Sequence, residues 1–290
     1  MNRLDFIKMM TALPLGIGGI KEFYQNGKQM PDEPTLMPVL FIGHGSPMNA
    51  IQQNSFTESL KKTGEVLPTP KAIMVVSAHW LTKGTFVTVS ENPKIIYDFY
   101  GFPKEMYEVD YPVNGSKDYG LLTAALPKEQ LIMPDHEWGI DHGVWTVLMH
   151  MFPLANIPVY QLSIDYKLSL AKHYELAGML KELRKKGVLV IGSGNITHNL
   201  RDIDWNINAK PFDWAEVFDS KIKAAIESGN HIDILEYEKW GTIAKQAHPS
   251  NDHFLPLLYS LGLTNKGESI SYIYEGFHHG SLSMRCVKFG

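Results

Sequence analysis

Val188-Leu-Val-Ile191 runs straight into Gly192-Ser-Gly-Asn-Ile-Thr-His198-Asn199. Four aliphatic residues without polar alternation predict a strand buried on both faces. The small residues behind it predict a tight turn that ends on an imidazole. The same grammar recurs twice. Pro38-Val-Leu-Phe-Ile42 leads into Gly43-His44-Gly45-Ser46-Pro47, and Ala72-Ile-Met-Val-Val76 leads into Ser77-Ala78-His79-Trp80. A fourth run, Ile157-Pro-Val-Tyr-Gln-Leu162, ends at Ser163-Ile164-Asp165.

Helical spacing fills the gaps between these runs. Residues 166–186 carry Leu170, Tyr174, Ala177, Leu180 and Leu183 three or four apart and stop at Gly187. Residues 212–228 carry Trp214, Val217, Phe218, Ile222, Ala225 and Ile226; Asp213 and Glu216 fit a capping box, and Gly229 follows. The alternation predicts an α/β domain with a central, mostly parallel or mixed sheet flanked by helices. Sites in such sheets gather beyond the carboxyl ends of the strands. Three of the four runs therefore deliver a histidine to one rim.

Composition narrows the remainder. The 290 residues are 44% hydrophobic and 20% charged, enough to bury a core without staples. The single cysteine, Cys286, excludes an internal disulfide framework and a Cys-rich zinc finger. A net charge of -4, with no long Lys/Arg run, gives nucleic-acid binding little electrostatic support. The apolar stretch at 9–20 is far below the roughly 18–20 residues of a membrane helix. Arg3 and Lys8 beside it give it the look of an export signal, but Asp5 is acidic and no Ala-x-Ala-type cleavage site follows. A cytoplasmic protein is expected, with export as the alternative. Residues 1–36 read as an N-terminal extension and 37–290 as one catalytic domain, a monomer or small homo-oligomer with neither nucleic acid nor membrane as partner.

His44 lies between two glycines, His79 follows a strand, and His253 stands in Ala-His-Pro-Ser-Asn-Asp-His-Phe-Leu-Pro before a helical pattern of Leu255, Leu258 and Leu261. Neutral imidazole is the commonest metal-binding side chain, and three such ligands with open positions make a catalytic site. His198 is either a fourth ligand or a general acid/base. His142, in Trp138-Gly-Ile-Asp-His-Gly143, reads as a loop residue with Asp141 beside it to orient a ring or a substrate. His248 competes with His253 as ligand. One of His278 and His279 is a candidate to touch substrate. His136, His150, His173 and His231 read as surface or core residues.

Gly43-His-Gly-Ser-Pro-Met48, Ser77-Ala-His-Trp80, Asp98-Phe-Tyr-Gly-Phe-Pro103, Trp138-Gly-Ile-Asp-His-Gly143, Gln161-Leu-Ser-Ile-Asp165, Gly192-Ser-Gly-Asn195 with His198-Asn-Leu-Arg201, and Gly280-Ser-Leu-Ser-Met284 occur in this order. Together they resemble the 4,5-DOPA extradiol dioxygenases, a family within the class III extradiol ring-opening enzymes. The resemblance begins near residue 37 and runs to the C-terminus. It implies one divalent metal, Zn²⁺ or Fe²⁺, held by His44, His79 and His253. It implies His198 at the metal, as further ligand or as acid/base, and His142 lining the site. Relatives acting on protocatechuate carry a glutamate where this sequence has His253, with Asp252 beside it.

The implied reaction opens the ring of a small aromatic diol such as DOPA, with O₂ as co-substrate, to a semialdehyde. Trp80, Phe99, Phe102, Trp138 and Trp145 are candidates to wall the pocket. Two rival readings are a zinc hydrolase on the same scaffold and a non-enzymatic binding protein like the related Memo proteins.

Overall fold

The computed structural model describes residues 30–290. The apolar stretch at 9–20 and most of the N-terminal extension lie outside the described residues. Among the described residues, no helix is long and apolar enough to cross a membrane.

The strands, in chain order, are β1 (Val39–Gly43), β2 (Ala72–Ser77), β3 (Leu81–Thr82), β4 (Thr85–Thr88), β5 (Ile132–Asp135), β6 (Val159–Gln161), β7 (Ile164–Asp165), β8 (Val188–Gly194), β9 (Ile270–Tyr274), β10 (Phe277–His278), β11 (Leu282–Ser283) and β12 (Cys286–Phe289). The central sheet has the order β6-β2-β8-β1-β12-β9. Its first four strands are parallel, and β12 and β9 close it antiparallel. This is the mixed α/β sheet that the strand grammar predicts.

Side chains alternate across a strand, and here both faces are covered. Val39, Phe41, Met74, Val76 and Val190 face one layer, with Phe218, Leu176 and Leu258. Leu40, Ile42, Ile73, Val75, Leu189 and Ile191 face the other, with Phe56, Leu60, Trp145 and Leu148. That double burial is why the runs carry no polar alternation.

Register then sets the rim. Gly43 of β1 pairs with Gly194 of β8, and Ser77 of β2 pairs with Ser193. Three carboxyl ends finish level, each followed by its histidine turn. Gly194 also lets the segment carrying His253 come close. A Cβ on Gly194 would lie 2.1 Å from the His253 carbonyl oxygen, a backbone atom that cannot swing aside. Gly194→Ala is expected to destabilise by about 1–3 kcal/mol, the cost of overpacking. Thermal denaturation would register this as a Tm drop of several degrees.

Two helix expectations need correction. The predicted helix at 166–186 is two helices, Leu170–Met179 and Glu182–Lys185. Tyr166 N–H is taken by Thr82 O (3.1 Å), which extends the β3–β7 pairing, and the Ser169 side chain caps the later start. The second helix, Asp213–Ser228, has no side-chain cap. Phe212 is its N-cap, tied by its N–H to Gly280 O (2.9 Å). Asp213 and Glu216 instead lie in the first turn, where carboxylates favour the helix dipole. Gly229 closes the helix in the left-handed region as expected (φ 69°).

Candidate metal centre

Each histidine turn is fixed by backbone bonds to its neighbour. His44 N–H donates to Gly194 O (2.9 Å) and Ala78 N–H to Ser193 O (3.0 Å). Asn195 N–H donates to His253 O and His198 N–H to Ala247 O, each at 2.9 Å. Gly45 turns the chain away with φ 63°, and a Cβ there would lie 2.5 Å from the Met284 sulfur. His142 is not in a loop. Asp141 caps the helix His142–Met151, its Oδ1 accepting Gly143 N–H (3.0 Å) and the Ser77 hydroxyl (2.6 Å). The two flanking glycines masked this cap in the sequence.

The rings of His44, His79 and His253 form a nearly equilateral triangle. Their centroids are 5.1 Å (44–79), 5.3 Å (44–253) and 5.0 Å (79–253) apart. His142 lies 3.9 Å from His79 and 5.6 Å from His44. His198 stacks on His253 with centroids 3.5 Å apart and ring planes at 2°. Ligand atoms of His44, His79 and His142 lie within 4.8 Å of one another, as do those of His198, Asp252 and His253.

Proton positions follow from the partners. The Ser193 hydroxyl lies 2.5 Å from Gly143 O, which has no hydrogen of its own, so serine donates there. Ser193 Oγ must then accept from His44 Nδ1, 2.9 Å away. His79 Nδ1 faces Asp98 Oδ2 at 3.2 Å, and His253 Nδ1 faces Asp252 Oδ1 at 2.9 Å. His44 and His253 therefore carry their hydrogen on Nδ1 and a lone pair on Nε2, and the Asp98 carboxylate beside Nδ1 favours the same tautomer for His79. His44 Nε2 and His79 Nε2 nevertheless approach to 3.2 Å. Two lone pairs at that distance repel unless a cation lies between them. Two metal–nitrogen bonds of about 2.0–2.1 Å span this separation at an ordinary coordination angle. The residues present thus fit a divalent metal, and the carboxylate or hydroxyl behind each Nδ1 is the usual support of a ligating imidazole.

The electrostatics agree. Burial, with neighbouring imidazoles, pushes His79 down to about 3 and holds His44 and His253 well below the ordinary histidine value. Burial brings His198 to about 4. Neutral rings are the metal-binding form. Burial would raise Asp98, but the hydrogen bond and charge of His142, then His79, outweigh it and leave the carboxyl at about 2. Burial, then the charge of Asp98, lifts Asp141 to about 6.

The other candidates separate cleanly. His248 turns away from the triangle and spends Nε2 on Ile196 O (2.6 Å). His150, His173 and His231 bond Asn49 O, Tyr259 OH and Tyr174 OH, and His136 is exposed, in keeping with surface or core roles. His278 is buried edge-on to Phe56, and His279 bonds Asp204 O. Of the aromatics, Phe99 meets His142 edge-on at 5.7 Å with Phe102 behind it. Trp145 is core, and Trp80 stacks on Trp138. Sequence reasoning missed the partners. Ser193 and Asp98 stood inside quoted motifs, but only the fold reveals which ring each one holds. A groove of about 700 Å³ along the helix Asp213–Ser228 lies elsewhere, and its Asp219, Glu275 and Arg285 are already paired with one another.

Residues 38–285 match the family described as the catalytic LigB subunit of aromatic ring-opening dioxygenase. The 4,5-DOPA dioxygenase extradiol of Escherichia coli (strain K12) is 43% identical over 263 residues, 88% of this chain and 96% of that protein. The protein of the same name from Beta vulgaris is 35% identical over 270 residues, 90% of this chain and 99% of that one. A crystal structure of an uncharacterized protein from Escherichia coli K12 superposes with a TM-score of 0.77 at 39% identity, covering 88% of this chain and all of that one. These relatives bear dioxygenase names, which favours neither the hydrolase nor the scaffold reading. The chain belongs to the family of the catalytic LigB subunit of aromatic ring-opening dioxygenase, and it is a ring-cleaving extradiol dioxygenase.

Proposed function

We propose that this enzyme opens a catechol such as DOPA with O₂ to a semialdehyde, using one divalent cation held by His44, His79 and His253. The observation that carries the reading is the approach of His44 Nε2 and His79 Nε2 to 3.2 Å, with a hydroxyl or carboxylate behind each ligand's Nδ1. Fe²⁺ is the working ion; Zn²⁺ fits the same nitrogens but has no redox chemistry. When bound, the cation supplies the charge that acidifies a catechol hydroxyl and the redox contact that ring opening by O₂ requires.

The chain's own residues do the rest. His198 takes a proton from the catechol hydroxyl and later returns it to the opened product. His142, backed by Asp98, is the second imidazole at the site and steadies the diol. Phe99 and Phe102 offer an apolar edge against the ring and keep water from that side. Asp98 and Asp252 hold the rings of His79 and His253 in the tautomer that leaves Nε2 free.

The test is anaerobic loading with Fe²⁺, followed by DOPA or caffeate and air. A yellow semialdehyde should form with one O₂ consumed per ring. Verified metal loading with neither signal across several catechols would overturn the proposal.

A further inference from the structure

His248 is a buried imidazole that the chemistry above leaves unused. Its Nε2 lies 2.6 Å from Ile196 O, and a carbonyl has no hydrogen to give, so Nε2 is the donor. Its Nδ1 is then bare, buried and without a partner. An unpaired buried acceptor is a cost that stability alone does not explain. The ring is gripped by Phe218, Tyr237 and Phe254, at centroid distances of 5.5, 5.8 and 5.0 Å. It is therefore a stiff support carrying one aimed N–H.

That N–H grips the carbonyl two residues before His198. The surrounding bonds show what is being held. Asn195 N–H donates to His253 O, His198 N–H to Ala247 O, and Asn199 Nδ2 to Gln246 O (2.8 Å). On the far side Thr197 Oγ1 donates to Ser281 O (2.9 Å). The segment 195–199 is thus laced to 246–253, the segment that also carries His253. The face-to-face stack of His198 on His253 is the product of this lacing. Among these bonds, His248 makes the one contributed by a side chain of the 246–253 segment.

We infer that His248 is a positioning residue: its N–H on Ile196 O sets the stack of His198 on His253 and so aims the proton-carrying imidazole. The inference rests on the role given to His198 above. A 1 Å misplacement of a reacting group costs on the order of 10²-fold, so a single aimed bond has leverage here.

His248→Leu removes the donor, and His248→Gln restores an amide N–H near the position of Nε2. His248→Leu should lower kcat about 10–100-fold, the range for a lost outer partner. KM and metal per chain should stay near wild type, and His248→Gln should recover most of the rate. In a His198→Ala background, His248→Leu should cost little more. Independently of turnover, NMR of the Zn²⁺-loaded protein should show the ring-current shift of the His198 ring protons lost in His248→Leu and regained in His248→Gln. The inference is overturned if that shift survives in a folded His248→Leu protein. It is equally overturned if metal is lost along with the rate, or if the two losses multiply in the double variant. A wild-type enzyme inert toward all catechols sinks the functional reading instead, while the NMR comparison still decides the clamp.

Discussion

His198→Gln lowers turnover about 10²–10⁴-fold, the range for a missing general acid–base group, and leaves one metal ion per chain. The reason is the geometry of its stack on His253, with ring planes at 2° and centroids 3.5 Å apart. An imidazole binds a cation through a lone pair that lies in the plane of its ring. One ion cannot lie in both of two parallel planes stacked face to face. If His253 is a ligand, His198 is not one, and it is left free to handle protons. Burial holds its pKa at about 4, so at neutral pH the ring is unprotonated and ready to accept. Metal analysis and O₂ uptake on the same preparation decide the matter. Metal and rate falling together would make His198 a ligand and His253 the residue to reassign.

How far the sequence carried this reading follows from the range of each signal. The four apolar runs were legible because double burial leaves an unbroken aliphatic stretch, and each run contains a strand of the parallel half-sheet. The histidine turns were legible because level strand ends bring them to one rim. Helix ends were less so. The start at Leu170 depends on Thr82 reaching Tyr166 N–H, a contact between residues far apart in the chain. The same holds for the partners of the imidazoles. Ser193 lies 149 positions from His44, and nothing local in Gly-Ser-Gly announces a hydroxyl that fixes a tautomer. Two glycines and a tryptophan around His142 read locally as a loop, and only the fold shows Asp141 as the cap of a helix that starts there. The sequence offers His248 as a rival to His253 for the ligand role; its donation to Ile196 O appears only in three dimensions.

Removal and return of the metal gives the largest change in stability. A ligand at 1,000 times its dissociation constant adds about 4.1 kcal/mol to the folded state. At roughly 2 °C per kcal/mol for a chain of this size, loading the chelated protein with Fe²⁺ or Zn²⁺ should raise Tm by roughly 8 °C. His44→Ala and His253→Ala should abolish that rise, because each removes one corner of the ring triangle. His142→Ala should keep it. The contrast between the last two is the informative one. Nitrogens of His44, His79 and His142 lie within 4.8 Å of one another, whereas His253 groups with His198 and Asp252, so proximity alone favours a site without His253. What separates them is the support behind each ring. His253 Nδ1 meets Asp252 Oδ1 in an aligned hydrogen bond at 2.9 Å. His142 Nδ1 lies 3.0 Å from Asp98 Oδ1 but makes no aligned bond. His142 is moreover the ring that Phe99 meets edge-on, on the side proposed for the substrate. A Tm rise that survives in His253→Ala and vanishes in His142→Ala would exchange the two roles.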